Sequence, residues 1–227
     1  MENDIPVWLK KYAEYMIIKY DYDSSHDMTH FINTYVYAKQ ILLEDFTLET
    51  SIIDGINWND IQQVIYFSAF SHDLIDCKYV KPQEALTNLK QVFHCHDIPD
   101  NLTEIICYII DNMSFSKEKT RTTVSGTPIK PEYQIALNIV ADADKLDAYR
   151  IERVIAYQSR RHSSILNFEE RHELKLRWLK TILVKRVLEY RSKWLKTKCA
   201  LRLSEEMHNR VQKYVDENLQ EVQMFDY

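Results

Sequence analysis

The chain has 227 residues, 45% of them apolar and 28% charged, with a formal net charge of −5 at pH 7. A chain of this length sustains a core without disulfides. Its negative balance argues against a general attraction to nucleic acid or to a membrane surface. Only two glycines and five prolines occur. That scarcity of turn residues excludes a sandwich or barrel and predicts an all-α chain of helices joined by short loops. Cys77, Cys95, Cys107 and Cys199 form no Cys-x-x-Cys pair, so they read as reduced thiols of an intracellular, cytoplasmic protein. No signal segment is visible at Met1-Glu2-Asn3-Asp4, and no apolar run reaches spanning length, so no membrane partner is expected.

In chain order, Pro6 to Tyr20 is predicted as a first helix, with Val7, Trp8, Tyr12, Tyr15 and Met16 as core candidates. After a polar break, Ser24 with Asp27 three residues on resembles a capping arrangement. The second helix is predicted from about Ser25 to Glu49. It carries His26 and His30 at i and i+4, a spacing used both by metal ligands and by ordinary surface histidines. Thr34, Tyr37 and Ile41 continue the inward face of His30.

Trp58 to Asp73 is predicted as the central helix. Ile65 and Ala69 mark its apolar stripe, and His72 and Asp73 flank that stripe at its end. An imidazole and a carboxylate buried side by side need partners or a cation. Glu84–Cys95 and Leu102–Met113 are predicted as two further helices; His94 and His96 read as favourable charge at a helix C-terminus. Ser114 to Pro131 is the longest polar stretch. It reads either as a surface loop or as a lid over a phosphate-bearing substrate, with Lys117, Lys119 or Arg121 in contact.

Glu132 to Arg160 is predicted as one long helix. Leu137, Val140, Asp144, Ala148 and Ile151 fall on one stripe, so Asp144 points inward and Asp147 lies near that face. Asp142 is rotated roughly 200° from Asp144 at about 100° per residue, toward solvent or a supporting position. Asn167 to Tyr227 is predicted helical. Its Lys/Arg-rich part is interleaved with Glu and with regular apolar spacing, which favours a solvated amphipathic face over a nucleic-acid surface.

His30, His72, Asp73 and Asp144 thus come from three separate helices, each on the buried side. Two neutral imidazoles and two carboxylates neutralise one divalent cation, and mixed N/O ligation suits Mn, Fe, Co, Ni or Mg. The order His…His-Asp…Asp resembles the HD-domain superfamily of metal-dependent phosphohydrolases. His26-Asp27-Met28-Thr29-His30 matches an H-D-x-x-H first motif. Ser71-His72-Asp73-Leu74-Ile75-Asp76 matches the second, with an acid three residues after the doublet. Asp142-Ala143-Asp144-Lys145-Leu146-Asp147-Ala148 resembles the D-A-D-[KR]-L-D-A form of the last. These variants point to a small bacterial-type subfamily, which also has a Ser-Phe pair before a loop (Ser114-Phe115) and a late Arg/His cluster (His208 and Arg210). The similarity spans residues 20 to 217. Departures occur at Asn33-Thr34, where Arg-Val is usual, and at Tyr149-Arg150-Ile151-Glu152-Arg153, which lacks the usual glycines; larger side chains there are expected to narrow or reshape the pocket.

The resemblance implies a single HD-type helical domain over 1–227, with its core at about 20–160 and a helical C-terminal region at about 165–225. It implies hydrolysis of a phosphate ester or anhydride, with one divalent ion held by His30, His72, Asp73 and Asp144. Asp76 is the candidate to orient or deprotonate the attacking water, or else a helix-end cap. His26 and Lys78 are candidates for phosphate contact or leaving-group protonation. Asp147 is a candidate supporting or substrate-hydroxyl contact. Arg150 and Arg153 are candidate phosphate contacts or surface ion pairs. The expected partner is a small-molecule phosphate, a nucleotide such as a (deoxy)nucleoside triphosphate. Nucleoside monophosphate or cyclic nucleotide hydrolysis, and a non-catalytic nucleotide-binding module, are the alternatives; a homo-oligomer is left open.

Overall fold

The computed structural model describes residues 4–47, 52–123, 129–155, 170, 173–174 and 177–223. All regular elements among them are helical, as the composition predicts. No helix of the described residues is long and apolar enough to cross a membrane. The helices are α1 (Val7–Lys19), α2 (Met28–Asp45), α3 (Trp58–Ser71), α4 (Pro82–Cys95), α5 (Asp100–Asn112), α6 (Phe115–Thr123), α7 (Gln134–Asp147) and α8 (Lys198–Gln223). A 3-10 turn, His72–Ile75, continues α3, and two segments with i→i+5 hydrogen bonds, Leu179–Val187 and Tyr190–Trp194, precede α8.

The centre of the bundle is α2 packed between α3 and α7, with α5 behind α3. Its buried stripe runs His30, Phe31, Thr34, Tyr35, Ala38, Ile41 and Leu42, so the helical period itself carries His30 into the interior. The last turn of α3, Phe67 to Ser71, is buried on every side. The Phe31 and Phe70 rings meet edge-on with centroids 5.9 Å apart. Packing of this kind fixes the α2–α3 separation, and with it the distance between His30 and His72.

Carboxylates from two different helices satisfy the start of α8. Asp142 Oδ2 accepts from the backbone N–H of Lys196 and of Thr197, each at 2.8 Å, and from Thr197 Oγ1 at 2.9 Å. Both oxygens of Asp45 accept from Cys199 N at 3.0 Å. These N–H groups have no intrahelical acceptor, so the acids on α7 and α2 tie α8 to the core. Asp142 is fully buried. The expectation that it turns toward solvent is corrected: α8 covers the face that an isolated helix would leave open.

Other boundaries move for local reasons. Asp27, not Ser24, caps α2 by accepting from His30 N at 3.0 Å, so the helix starts at Met28 and His26 precedes it. α2 ends at Asp45, and residues 48–49 of the longer prediction lie outside the described residues. Val7 and Tyr15 on α1 are exposed, not core. Part of the predicted polar loop is the helix α6. Phe115 holds it edge-on against Tyr190 and Trp194, at 5.3 and 5.0 Å, and Glu118 pairs with the buried Lys145 at 2.8 Å. Residues 124–128 of the proposed lid lie outside the described residues. Finally, the long helix predicted to Arg160 stops at Asp147. Tyr149 N and Arg150 N turn to the i−3 carbonyls of Leu146 and Asp147 before helix resumes at 151–155. Neither glycine nor proline marks that break in the sequence.

Candidate metal centre

Three elements deliver the predicted cluster: α2 brings His30, the 3-10 turn brings His72 and Asp73, and α7 brings Asp144. The Nε2 atoms of His30 and His72 lie 3.1 Å apart. Asp73 Oδ2 is 3.0 Å from the first and 3.3 Å from the second. Asp144 Oδ1 is 3.6 Å from each. Bonds of about 2.0–2.2 Å to one ion put neighbouring donors about 3 Å apart, which is the spacing of His30, His72 and Asp73, with Asp144 standing somewhat wider.

The hydrogen bonds fix both tautomers. His72 Nδ1 is 2.8 Å from the carbonyl oxygen of Ala69, an atom that only accepts, so Nδ1 carries the proton. His30 Nδ1 donates to Asp147 Oδ2 at 2.7 Å. In their neutral forms the two rings therefore aim bare Nε2 lone pairs at each other. Such a contact is repulsive without a positive charge beside it, and a divalent ion is the charge that this donor set suits.

Charge already present meets part of that demand. The Arg153 guanidinium donates to His30 Nε2 at 3.0 Å and lies 3.8 and 3.6 Å from Asp73 and Asp144. Its Nε donates to the Ser25 carbonyl at 2.6 Å, which holds it in place. Burial opposes charge on His72, yet Asp73 and Asp144 raise its pKa well above the usual histidine value. Burial likewise opposes ionisation of Asp73 and Asp144, but the imidazoles hold both well below the carboxylate range, with Arg153 adding to the effect on Asp144.

Behind the cluster, Asp147 is fully buried. It accepts from His30 Nδ1, from Asn33 Nδ2 at 2.8 Å and from Arg150 at 3.2 Å. It therefore orients His30 from behind, and Arg150 forms an ion pair with it; neither is among the described residues lining the cavity. Of the two arginines after the last motif, Arg153 is the one at the centre. Sequence reasoning named Arg153 without separating it from Arg150, because the break at Ala148–Arg150 re-aims the chain. Asn33 and Thr34, the departures in the first motif, both support His30: Thr34 Oγ1 donates to its carbonyl at 3.0 Å.

His26, Asp73 and Asp76 form an adjoining group, with His26 Nε2 3.6 Å from Asp73 and 3.7 Å from Asp76. Lys78 Nζ lies 3.0 Å from Asp76 and 3.3 Å from His26 Nε2. Asp23 Oδ1, at 3.2 Å, and Tyr79 OH, at 3.0 Å, contact His26 Nδ1. Asp23, Ser25 and Tyr79 carry no motif, and their support of His26 was not legible from spacing. Of the polar-stretch contacts, Lys117 pairs with Asp111 and Arg121 donates to the Asn112 carbonyl. His208 packs edge-on to Tyr149, so Tyr149 fills the core between α7 and α8 while Arg153 and Val154 line the cavity.

With this geometry in hand, comparison with known proteins adds one finding. The fold resembles that of Bacillus subtilis YpgQ. The crystal structure of YpgQ in complex with ADP superposes with a TM-score of 0.62 at 18% sequence identity, covering 92% of this chain and 97% of YpgQ. At that identity the likeness speaks to fold. No protein-family model matches the chain, and no curated protein matches its sequence.

Proposed function

We propose that this chain is a divalent-metal-dependent phosphohydrolase of the HD type acting on a nucleotide. The observation that carries this reading is the pair of opposed Nε2 atoms of His30 and His72, closed by Asp73 and Asp144. His30, His72, Asp73 and Asp144 would hold one ion, with Mn, Co, Ni, Fe or Mg all compatible with the donors. When bound, such an ion supplies Lewis acidity, polarising a phosphoryl oxygen and lowering the pKa of a water.

The chain's own groups then divide the remaining work. Asp76 would take the proton of the attacking water; its Oδ1 accepts from Lys78 N at 2.9 Å, which restrains the carboxylate. His26 presents Nε2 beside Asp73, Asp76 and Lys78 and serves the leaving oxygen. Lys78 and Arg153 bring positive charge to the phosphoryl oxygens, where it counts most as negative charge develops. A nucleotide as substrate is supported by the ADP of the YpgQ complex and by the cationic cavity beside the cluster.

The test is phosphate and pyrophosphate release from nucleoside mono- and triphosphates with Mn, Co, Ni and Mg supplied in turn, beside Asp73→Ala. Metal-dependent turnover that Asp73→Ala abolishes is expected. Bound metal and bound nucleotide without turnover would replace this reading by that of a nucleotide-binding module.

A further inference from the structure

A cavity of about 300 Å³ opens beside the cluster, and its far wall belongs to the segment that precedes α8. Lys78, Arg153 and Arg186 line it together with the apolar side chains of Val154, Ile182 and Val187, and no carboxylate is among the described lining residues. A cavity of roughly 300 Å³ lies at the small end of the range for ligand sites. One side is cationic and the other apolar, which fits an anion attached to a flat or apolar body of about one nucleoside, and not a longer polymer.

Arg186 lies on the Leu179–Val187 segment, away from every motif residue in sequence. Two of its contacts fix its orientation. Its Nε donates to the Tyr190 hydroxyl at 2.6 Å, and its guanidinium lies 4.9 Å from the Phe115 ring centroid. Tyr190 is fully buried, and its hydroxyl feels the charges of Asp144 and Arg153 as well as that of Arg186. An arginine fixed through Nε and through its ring-facing side loses little further freedom when it binds an anion, which favours bidentate contact with phosphate.

We propose that Arg186, positioned by Tyr190 and Phe115, is the specificity-determining contact for the part of the nucleotide that lies away from the scissile phosphate. This inference rests on the nucleotide reading above. On it, Arg153 and Lys78 serve the phosphoryl group at the centre. Arg186 holds a second anionic or carbonyl-bearing group across the cavity, and Ile182 and Val187 cover the base or sugar. Ile182 and Arg186, four residues apart on the Leu179–Val187 segment, both line this side of the cavity.

The test uses the full-length protein with Mn²⁺ alone and ADP alone as separate probes, measured by titration calorimetry. Arg186→Met is expected to lower ADP affinity by about ten-fold or more, the usual loss of a charge-assisted contact. It is expected to leave Mn²⁺ affinity at the wild-type value, and Arg186→Lys should recover part of the ADP affinity. Ile182→Trp, which fills the apolar wall, should weaken ADP as well. With a turned-over nucleotide, Arg186→Met should raise KM more than it lowers kcat. Unchanged ADP affinity in Arg186→Met, with wild-type protein binding ADP, would overturn the inference while leaving the phosphohydrolase reading intact. Failure of the wild-type protein to bind ADP or turn over any nucleotide would instead remove the reading on which the inference rests.

Discussion

The Nε2 atoms of His30 and His72 lie 3.1 Å apart although the residues are 42 positions apart in sequence. With both Nδ1 atoms committed as donors, two lone pairs meet, and positive charge must sit beside them. Without a divalent ion, the guanidinium of Arg153 and a proton on His72 supply that charge. Metal binding therefore displaces a proton. Below the raised pKa of His72, uptake of one ion should release about one proton, and apparent affinity should rise about ten-fold per pH unit. Calorimetry in buffers of different ionisation enthalpy measures the proton count. A pH-independent affinity across the range from 5 to 8 would contradict it.

The same group sets the stability of the metal-free protein. His72 has a folded pKa above its unfolded value of 6.5. Its contribution is thus fully present below that unfolded value and is lost as pH rises through the folded one. Asp147 is shifted the opposite way. Burial opposes its charge, but His30, Arg153 and Asn33 hold it below 3.8, so its contribution is lost only as pH falls through the depressed value. The increase in Tm on adding metal should accordingly grow as pH rises above about 6.5. Thermal melts with and without Mn²⁺ across that range test this, and an increment that shrinks with pH would contradict it.

Arg153 is expected to compete with metal and to assist phosphate. Its guanidinium stands 3.6 Å from Asp144 and 3.8 Å from Asp73. Removing a like charge at such a distance should tighten divalent-ion binding by about three- to ten-fold after solvent screening, while weakening nucleotide binding. Paired titrations of Arg153→Ala with Mn²⁺ and with ADP should show these opposite signs. Parallel loss of both would mean that Arg153 acts only as a strut through its bond to Ser25.

Asp147→Asn should separate orientation from ligation. The substitution keeps the volume but weakens the acceptor of His30 Nδ1–H. Loss of such a supporting contact costs about 10–100-fold in metal affinity. Unaltered Mn²⁺ affinity in Asp147→Asn would show that the His30 tautomer is fixed without it.

Asp142 belongs to the fold and not to the centre. Burial raises its pKa despite Lys145 and the N–H donors of Thr197 and Lys196, and no described group bonds its Oδ1. Asp142→Ala strands those donors and should cost about 2–4 kcal/mol. Asp142→Asn keeps an acceptor for them and should stay within about 1 kcal/mol of wild type. Chemical denaturation measures both. Equal destabilisation by the two variants would show that charge, not hydrogen bonding, ties α8 to α7.

Particular residues show where the sequence was sufficient. His30 falls on a regular apolar stripe, and His72 and Asp73 end another, so period turned each inward, and the order of the motifs joined them. Asp142 could not be placed by period, because the face it occupies is covered by α8, some 55 residues later. Arg153 was likewise hidden, since the helix break after Asp147 carries no glycine or proline. The cavity wall at Ile182 and Arg186 belongs to a segment that carries no motif, so its place beside the cluster follows from tertiary packing and not from a sequence pattern.

The most direct test of the central claim is equilibrium dialysis of the purified protein against Mn²⁺, with elemental analysis, beside Asp73→Ala checked for helicity by circular dichroism. The arrangement of His30, His72, Asp73 and Asp144 predicts one ion per chain in the wild type and a loss of affinity beyond about 100-fold in the folded variant. No bound ion in the wild type, or an Asp73→Ala protein that binds as tightly, would contradict it.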